Sequence, residues 1–336
     1  MSNYDQFAAA VKEISGGKNI VLLDDLGLPS VYVPINKLKN SEIISGGSEN
    51  THPAFSVEGV EKSRFLYSKY QNIIINGRAY SLSHRDPKAY VNFDQARQAC
   101  EAKGAGFHLG TLAEWAAVAL LTRKMGTMPH GNNNYGGDSA YTYEKGQESA
   151  KDNNKTGRTF TGSGPATWGH DHTQFGIQDM NGNVWEWLGG MRLNEGEIQI
   201  IPYNNAALGS ECDMSASSTL WKAIKNDGSL VAPGTAATLK YDFVSGNIQL
   251  TTGITSAQDA GRGGSYTAMT LASGVTAPEL AKALILYPDE PGKDYGGDYH
   301  WMNNSGERLP LAGGDWLSGA SAGVFYLNLS DARSDS

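Results

Sequence analysis

The stretch FGIQDMNGNVWEWLGG, residues 175–190, constrains the fold more than any other part of the chain. Asn181, Gly182 and Asn183 tolerate positive φ, so a tight turn is expected there, feeding a strand. On a strand, Trp185 and Trp187 are two positions apart and project to one face. Two indoles on one side of a sheet bury a large apolar area. The stretch therefore reads as a structural core motif whose members are Asn181, Gly182, Asn183, Trp185, Glu186 and Trp187.

Local signals on either side give the rest of the outline. Ser2 or Asn3 can cap a short helix over 4–14, stopped by Gly16 and Gly17, and 19–23 and 31–35 read as strands. Asn76-Gly77 joins two β-rich runs, 73–75 and 78–82, with the residues a type I′ hairpin turn demands. Asn92 precedes a helical pattern carrying Phe93, Ala96 and Cys100, ended by Gly104. Thr111 and Glu114 form a capping box before LAEWAAVALLTRKM, which Gly126 closes. Residues 128–174 are rich in Gly, Asn, Asp, Ser and Thr and read as a long loop pinned by side-chain hydrogen bonds. One further helix is expected after Thr276-Ala277-Pro278. The class is α+β: two helices, short twisted antiparallel strands and long irregular loops. The division expected is a β-rich region with a short helix over 1–85, then a larger unit over 86–336.

Composition removes several function classes. Lys and Arg number 27 against 35 Asp and Glu, a net charge of −8, and no basic run occurs, which argues against nucleic acid. Cys100 and Cys212 form neither a disulfide framework nor a zinc module. The N-terminal residues carry no basic region followed by an apolar core, so no signal peptide is expected. No run approaches the roughly 20 apolar residues of a membrane helix, so no membrane insertion is expected either. Gly319-Ala320-Ser321-Ala322-Gly323 matches a hydrolase nucleophile elbow formally, but a strand-like run follows it and no His occurs after His300. Gly261-Arg262-Gly263-Gly264 lacks the strand-to-helix context of a phosphate cradle. No catalytic residue and no cofactor is expected. The competing expectation is an enzyme with a metal at His170 and His172.

Three segments carry a family resemblance: HLGTLAEWAAVA (108–119), FGIQDMNGNVWEW (175–187) and GRGGSY (261–266). In this order they resemble the formylglycine-generating-enzyme-like, or sulfatase-modifying-factor, branch of the C-type lectin fold, which implies that fold here. Members that oxidise a sulfatase cysteine use two cysteines near the C-terminus, and this chain has none after Cys212. Related sulfoxide synthases bind iron through His-x-x-x-Glu-x-His, and sugar-binding C-type lectins use Glu-Pro-Asn or Gln-Pro-Asp loops; none of these occurs. Calcium held near the Trp-Glu-Trp turn in some enzyme relatives would map onto Asn181, Gly182, Val184 and Glu186.

The C-terminal run GERLPLAGGDWLSGASAGVFYLNLSDARSDS resembles the variable region of diversity-generating retroelement target proteins, here about 303–336. A fixed frame of Gly313-Gly314, Trp316, Gly319-Ala320, Ala322 to Phe325, Leu327, Leu329, Ala332 and Arg333 alternates with candidate ligand-binding positions. Those positions are Asp315, Leu317, Ser318, Ser321, Tyr326, Asn328, Ser330, Asp331, Ser334 and Asp335. Periodicity agrees: Phe325, Leu327 and Leu329 share one strand face, Tyr326, Asn328 and Ser330 the other. Tyr295, Tyr299 and Trp301 are expected as further aromatic anchors. THPAFSVEGVEKSRFLYSKYQN and MPHGNNNYGGD are similar to segments of phage and prophage variable proteins. The resemblance implies a receptor-binding protein of the virion tail, recognising a host cell-surface protein or glycan, with a homotrimer as in tail-fibre relatives. A purely structural tail component is the remaining alternative.

Overall fold

The computed structural model describes residues 3–336. The first helix spans Asn3–Ile14 and buries no side chain; Ser2, one of its two expected caps, lies outside the described residues. A three-stranded sheet follows in the order Ile20–Leu23, Pro29–Asn36, Arg64–Ser68. The hairpin Ile73–Ile75/Arg78–Tyr80 turns at Asn76 (φ 50) and Gly77 (φ 77), both positive as a type I′ turn requires. Its second strand ends at Tyr80, two residues before the expected limit.

Both expected helices form, with the caps read from sequence. Asn92 accepts from the Gln95 amide at 2.9 Å, and Gln95 Oε1 accepts from the Asn92 amide in return; this helix is Phe93–Glu101. Thr111 and Glu114 make the same reciprocal pair at the start of Leu112–Met125, which Gly126 ends in a left-handed conformation (φ 69). Every residue of this second helix from Leu112 to Leu120 is buried, so it is a core element rather than a surface one.

Two larger sheets contribute side chains to the same core. The first has the order Glu186–Trp187, Leu311–Gly313, Gly323–Leu329, Tyr299–Met302, Arg262–Ser265. The second, eight-stranded, is built around Glu197–Ile200, Lys240–Val244 and Asn247–Thr251. Val33, Ile35, Phe55 and Tyr67 pack in the same core as Trp115 and Phe325, so residues on both sides of position 85 share one interior.

The two indoles of the central motif part company. Only Glu186–Trp187 is strand, so Trp185 lies outside it. Trp187 packs edge-on against Phe93 at 6.0 Å and donates to the Val91 carbonyl at 2.8 Å. Trp185 instead meets the ring of Tyr326, 4.7 Å away. The expected shared face is corrected: a two-residue strand is too short to hold both rings in register.

Candidate ligand-binding surface

The strand Gly323–Leu329 lies between Leu311–Gly313 and Tyr299–Met302. Phe325, Leu327 and Leu329 have no exposed area, as their period requires. Asn328 pairs with Trp301 on one side and Leu311 on the other, so these residues share the outward face. Alternation adds Tyr299 and Tyr326 to it.

Tyr326 is not the free anchor that its period implied. It is 7% exposed and wedged against Trp185, and burial pushes its phenol up to about 12. Tyr295 leaves the surface entirely: its hydroxyl bonds to Asp289 at 2.5 Å and its ring packs edge-on against both Phe325 and Tyr266, which stack on each other. Tyr299 and Trp301 stay half-exposed beside Tyr326. Alternation gave the facing correctly but not the neighbouring rings that close over Tyr326.

The remaining expected positions divide between a loop and the chain end. Asp315 accepts from the Leu317 amide at 3.0 Å and from Ser318 Oγ at 2.8 Å, closing a tight loop. That loop is held from outside through Trp316, whose carbonyl accepts from the Tyr135 amide at 3.0 Å, and through Gly319, which donates to the Asn133 carbonyl at 2.8 Å. Leu317 is left half in solvent and Ser321 is half-buried. Asn328 bonds to Asp331 and accepts from the Ser330 amide at 2.9 Å, so these three form one polar cluster. Ser334 and Asp335 are exposed.

The frame residues carry the backbone. Gly313 has φ 88, and a Cβ there would stand 2.9 Å from the Met180 carbonyl and 3.3 Å from the Trp115 ring. Arg333 pairs with Glu307 at 3.0 Å and Asp94 at 3.1 Å. Behind the loop a cleft of about 930 Å³ opens, lined by Ala320, Ala322 and Gly323 together with His130 and Tyr141.

Sequence reasoning missed Asp298, which lines that cleft. It is 2% exposed, accepts from the Phe325 amide at 2.8 Å, and is held well above 3.8, its ordinary value, by burial. An acid that binds its proton more tightly when folded stabilises fully below its unfolded pKa, and that contribution is lost as pH rises toward the folded value. Asp298→Asn keeps one acceptor and one donor without the charge. We expect its urea midpoint to match wild type near pH 4 and to exceed it at pH 7; equal midpoints at both would show that the carboxyl is ionised in the fold.

The turn at 181–183 is a saturated hydrogen-bond knot. Asn183, fully buried, accepts from Asn132 Nδ2 at 3.1 Å and the Thr159 amide at 2.8 Å, and donates to Gln71 Oε1 at 3.0 Å. Gly182 is required because a Cβ would come 2.2 Å from the Asn132 carbonyl. The calcium donors implied by resemblance do not fit a cation. Asn181 is engaged by Asn133 Nδ2 at 3.1 Å and the Pro129 carbonyl at 2.9 Å. The oxygens of Gly182, Val184 and Glu186 do converge, but on Gln71 Nε2, at 3.2, 2.9 and 3.2 Å. Burial pushes the Glu186 carboxyl up to about 8. Nor do the loop histidines converge: His170 Nδ1 accepts from the Ile177 amide at 2.9 Å, while His172 Nε2 lies 3.1 Å from the Met128 carbonyl.

No curated protein matches the chain. The model of the sulfatase-modifying factor enzyme 1-like domain matches residues 24–269, which takes in all three segments singled out above and reaches further toward the N-terminus. The strand Gly323–Leu329 and its loop lie beyond the matched residues. With well over half of its length matched, the chain belongs to the sulfatase-modifying factor enzyme 1-like domain family.

Proposed function

We propose that this is a non-catalytic binding protein with a C-type lectin fold, whose outward C-terminal face is diversified by a retroelement. It would act at the tail of a phage or prophage particle and recognise a host cell-surface protein or glycan. A homotrimer would multiply weak contacts. One observation supports this reading above the rest: between 313 and 335 the frame residues hold the backbone, while Leu317, Ser318, Asn328, Ser334 and Asp335 can change without disturbing the interior. A pre-ordered frame loses little entropy on binding, so side-chain replacement alone can redirect it. Tyr326 and Trp185 serve as the floor of that face, with Tyr299 and Trp301 as half-exposed aromatics of the kind that dominate binding energy.

Changing Leu317, Asn328 and Asp335 together to Ser should weaken binding to host cells at least about tenfold while the melting temperature stays put. Unchanged binding would discard the surface. Sequencing the gene's flanks tests the diversification itself. A near-copy of the codons for 303–336, differing at adenines and lying beside a reverse-transcriptase gene, is the expected finding.

A further inference from the structure

A second cavity, of about 450 Å³, wraps the edge strand Arg64–Ser68 and is closed by the loop 103–110 and by Trp187. Its size suits a small organic molecule. Two groups on its lining keep hydrogen-bonding capacity to spare. Lys103 is 3% exposed, and its ammonium donates only to neutral oxygens, Ser30 Oγ and Tyr32 Oη, each at 2.9 Å. The rings of Phe107, Tyr80 and Tyr32 surround it at 4.4, 5.3 and 5.5 Å. Cation–ring contacts offset part of the desolvation of a buried ammonium, but they leave its third N–H without a carboxylate. Burial pulls Lys103 down to about 8, the mark of that incomplete compensation.

Tyr67 is the second group. It is 7% exposed, its hydroxyl makes no hydrogen bond among the described residues, and it lines the cavity above the bare Gly110, where a Cβ would stand 3.1 Å from the oxygen. The carboxyl groups on the lining are already engaged: Glu114 with His108 Nε2 at 3.0 Å and Asn204 Nδ2 at 3.1 Å, Glu186 with Gln71. The open valences are therefore a cation and a phenol, set among aromatic walls.

We propose that this cavity binds a small aromatic carboxylic acid, its carboxylate on Lys103 and its ring against Phe107 and Trp187, with Tyr67 available to a ring hydroxyl. The site is separate from the outward C-terminal face and does not depend on the function proposed for it.

Isothermal titration of the full chain with 4-hydroxycinnamate tests the assignment. The expected result is one saturable site, at least about tenfold weaker for the neutral 4-hydroxycinnamyl alcohol and for acetate, which lacks the ring. Lys103→Met keeps the stem and removes the charge, and should weaken 4-hydroxycinnamate by the same factor. Should that variant fail to fold, Ala105→Trp on the exposed rim blocks entry with Lys103 intact and should abolish binding. No saturable binding to wild type at millimolar acid overturns the proposal. Equal affinity of a folded Lys103→Met, or of Ala105→Trp, overturns it too. Loss of host binding in the C-terminal variants, with this titration unchanged, keeps the two readings distinct.

Discussion

Gln71→Leu should lower the unfolding free energy by about 4 kcal/mol, read as a fall in the urea midpoint with an unchanged slope. Gln71 is 4% exposed, and its amide nitrogen faces the carbonyls of Asp179, Gly182 and Val184 and the Glu186 carboxyl, at 2.9 to 3.2 Å. Its oxygen accepts from Asn183. Leucine fills the volume and satisfies none of these groups. Each buried polar group left unpaired costs about 1–3 kcal/mol, and at least two are orphaned together. The same contact makes a second, opposite statement. Since the amide nitrogen stands where the oxygens converge, millimolar calcium should leave the wild-type midpoint where it was. Gln71→Glu turns that nitrogen into an oxygen, so this variant should lose stability in chelator and regain part of it with calcium. A wild-type midpoint that rises with calcium would falsify the role given to Gln71.

What the sequence made legible was local. The caps at Asn92 and Thr111, the Asn76-Gly77 turn and the alternation of Phe325, Leu327 and Leu329 each depend on residues within a few positions of one another. What it hid was contact across long chain separation. Gln71 lies 112 residues from Asn183 and carries no pattern that announces the pairing, although it falls inside a segment already notable for its family resemblance. Tyr295 read as a surface aromatic because nothing nearby in sequence specifies Phe325 and Tyr266 as its neighbours. Asp298 carries no pattern of its own in the sequence, and its partner, the Phe325 amide at the base of the terminal strand, lies 27 residues on. The candidate face was therefore half visible: alternation named the positions, but only packing separates Tyr326, which supports, from Leu317, which protrudes.

Trp115→Ala should destabilise the protein by about 4–5 kcal/mol and loosen the candidate face along with it. The indole is fully buried in the helix Leu112–Met125, and its N–H donates to the Val324 carbonyl at 2.7 Å. Its far ring edge lies beneath Gly313, so one side chain supports both strands of the terminal hairpin. Removing it leaves a large cavity and an unpaired carbonyl. Trp115→Phe retains most of the volume and should lose only about 1–3 kcal/mol, chiefly for Val324. Hydrogen exchange separates local from general damage. In Trp115→Ala, amides of Gly323–Leu329 should lose protection well before those of Glu197–Ile200, in the second sheet. Uniform loss across both sheets would mean that the indole supports the core at large rather than the hairpin. Host binding adds the functional arm: a face that must order itself on contact binds more weakly, so Trp115→Ala should bind less even at temperatures where it remains folded. Because none of the outward side chains has changed in that variant, a loss there measures what the rigid frame alone contributes to recognition.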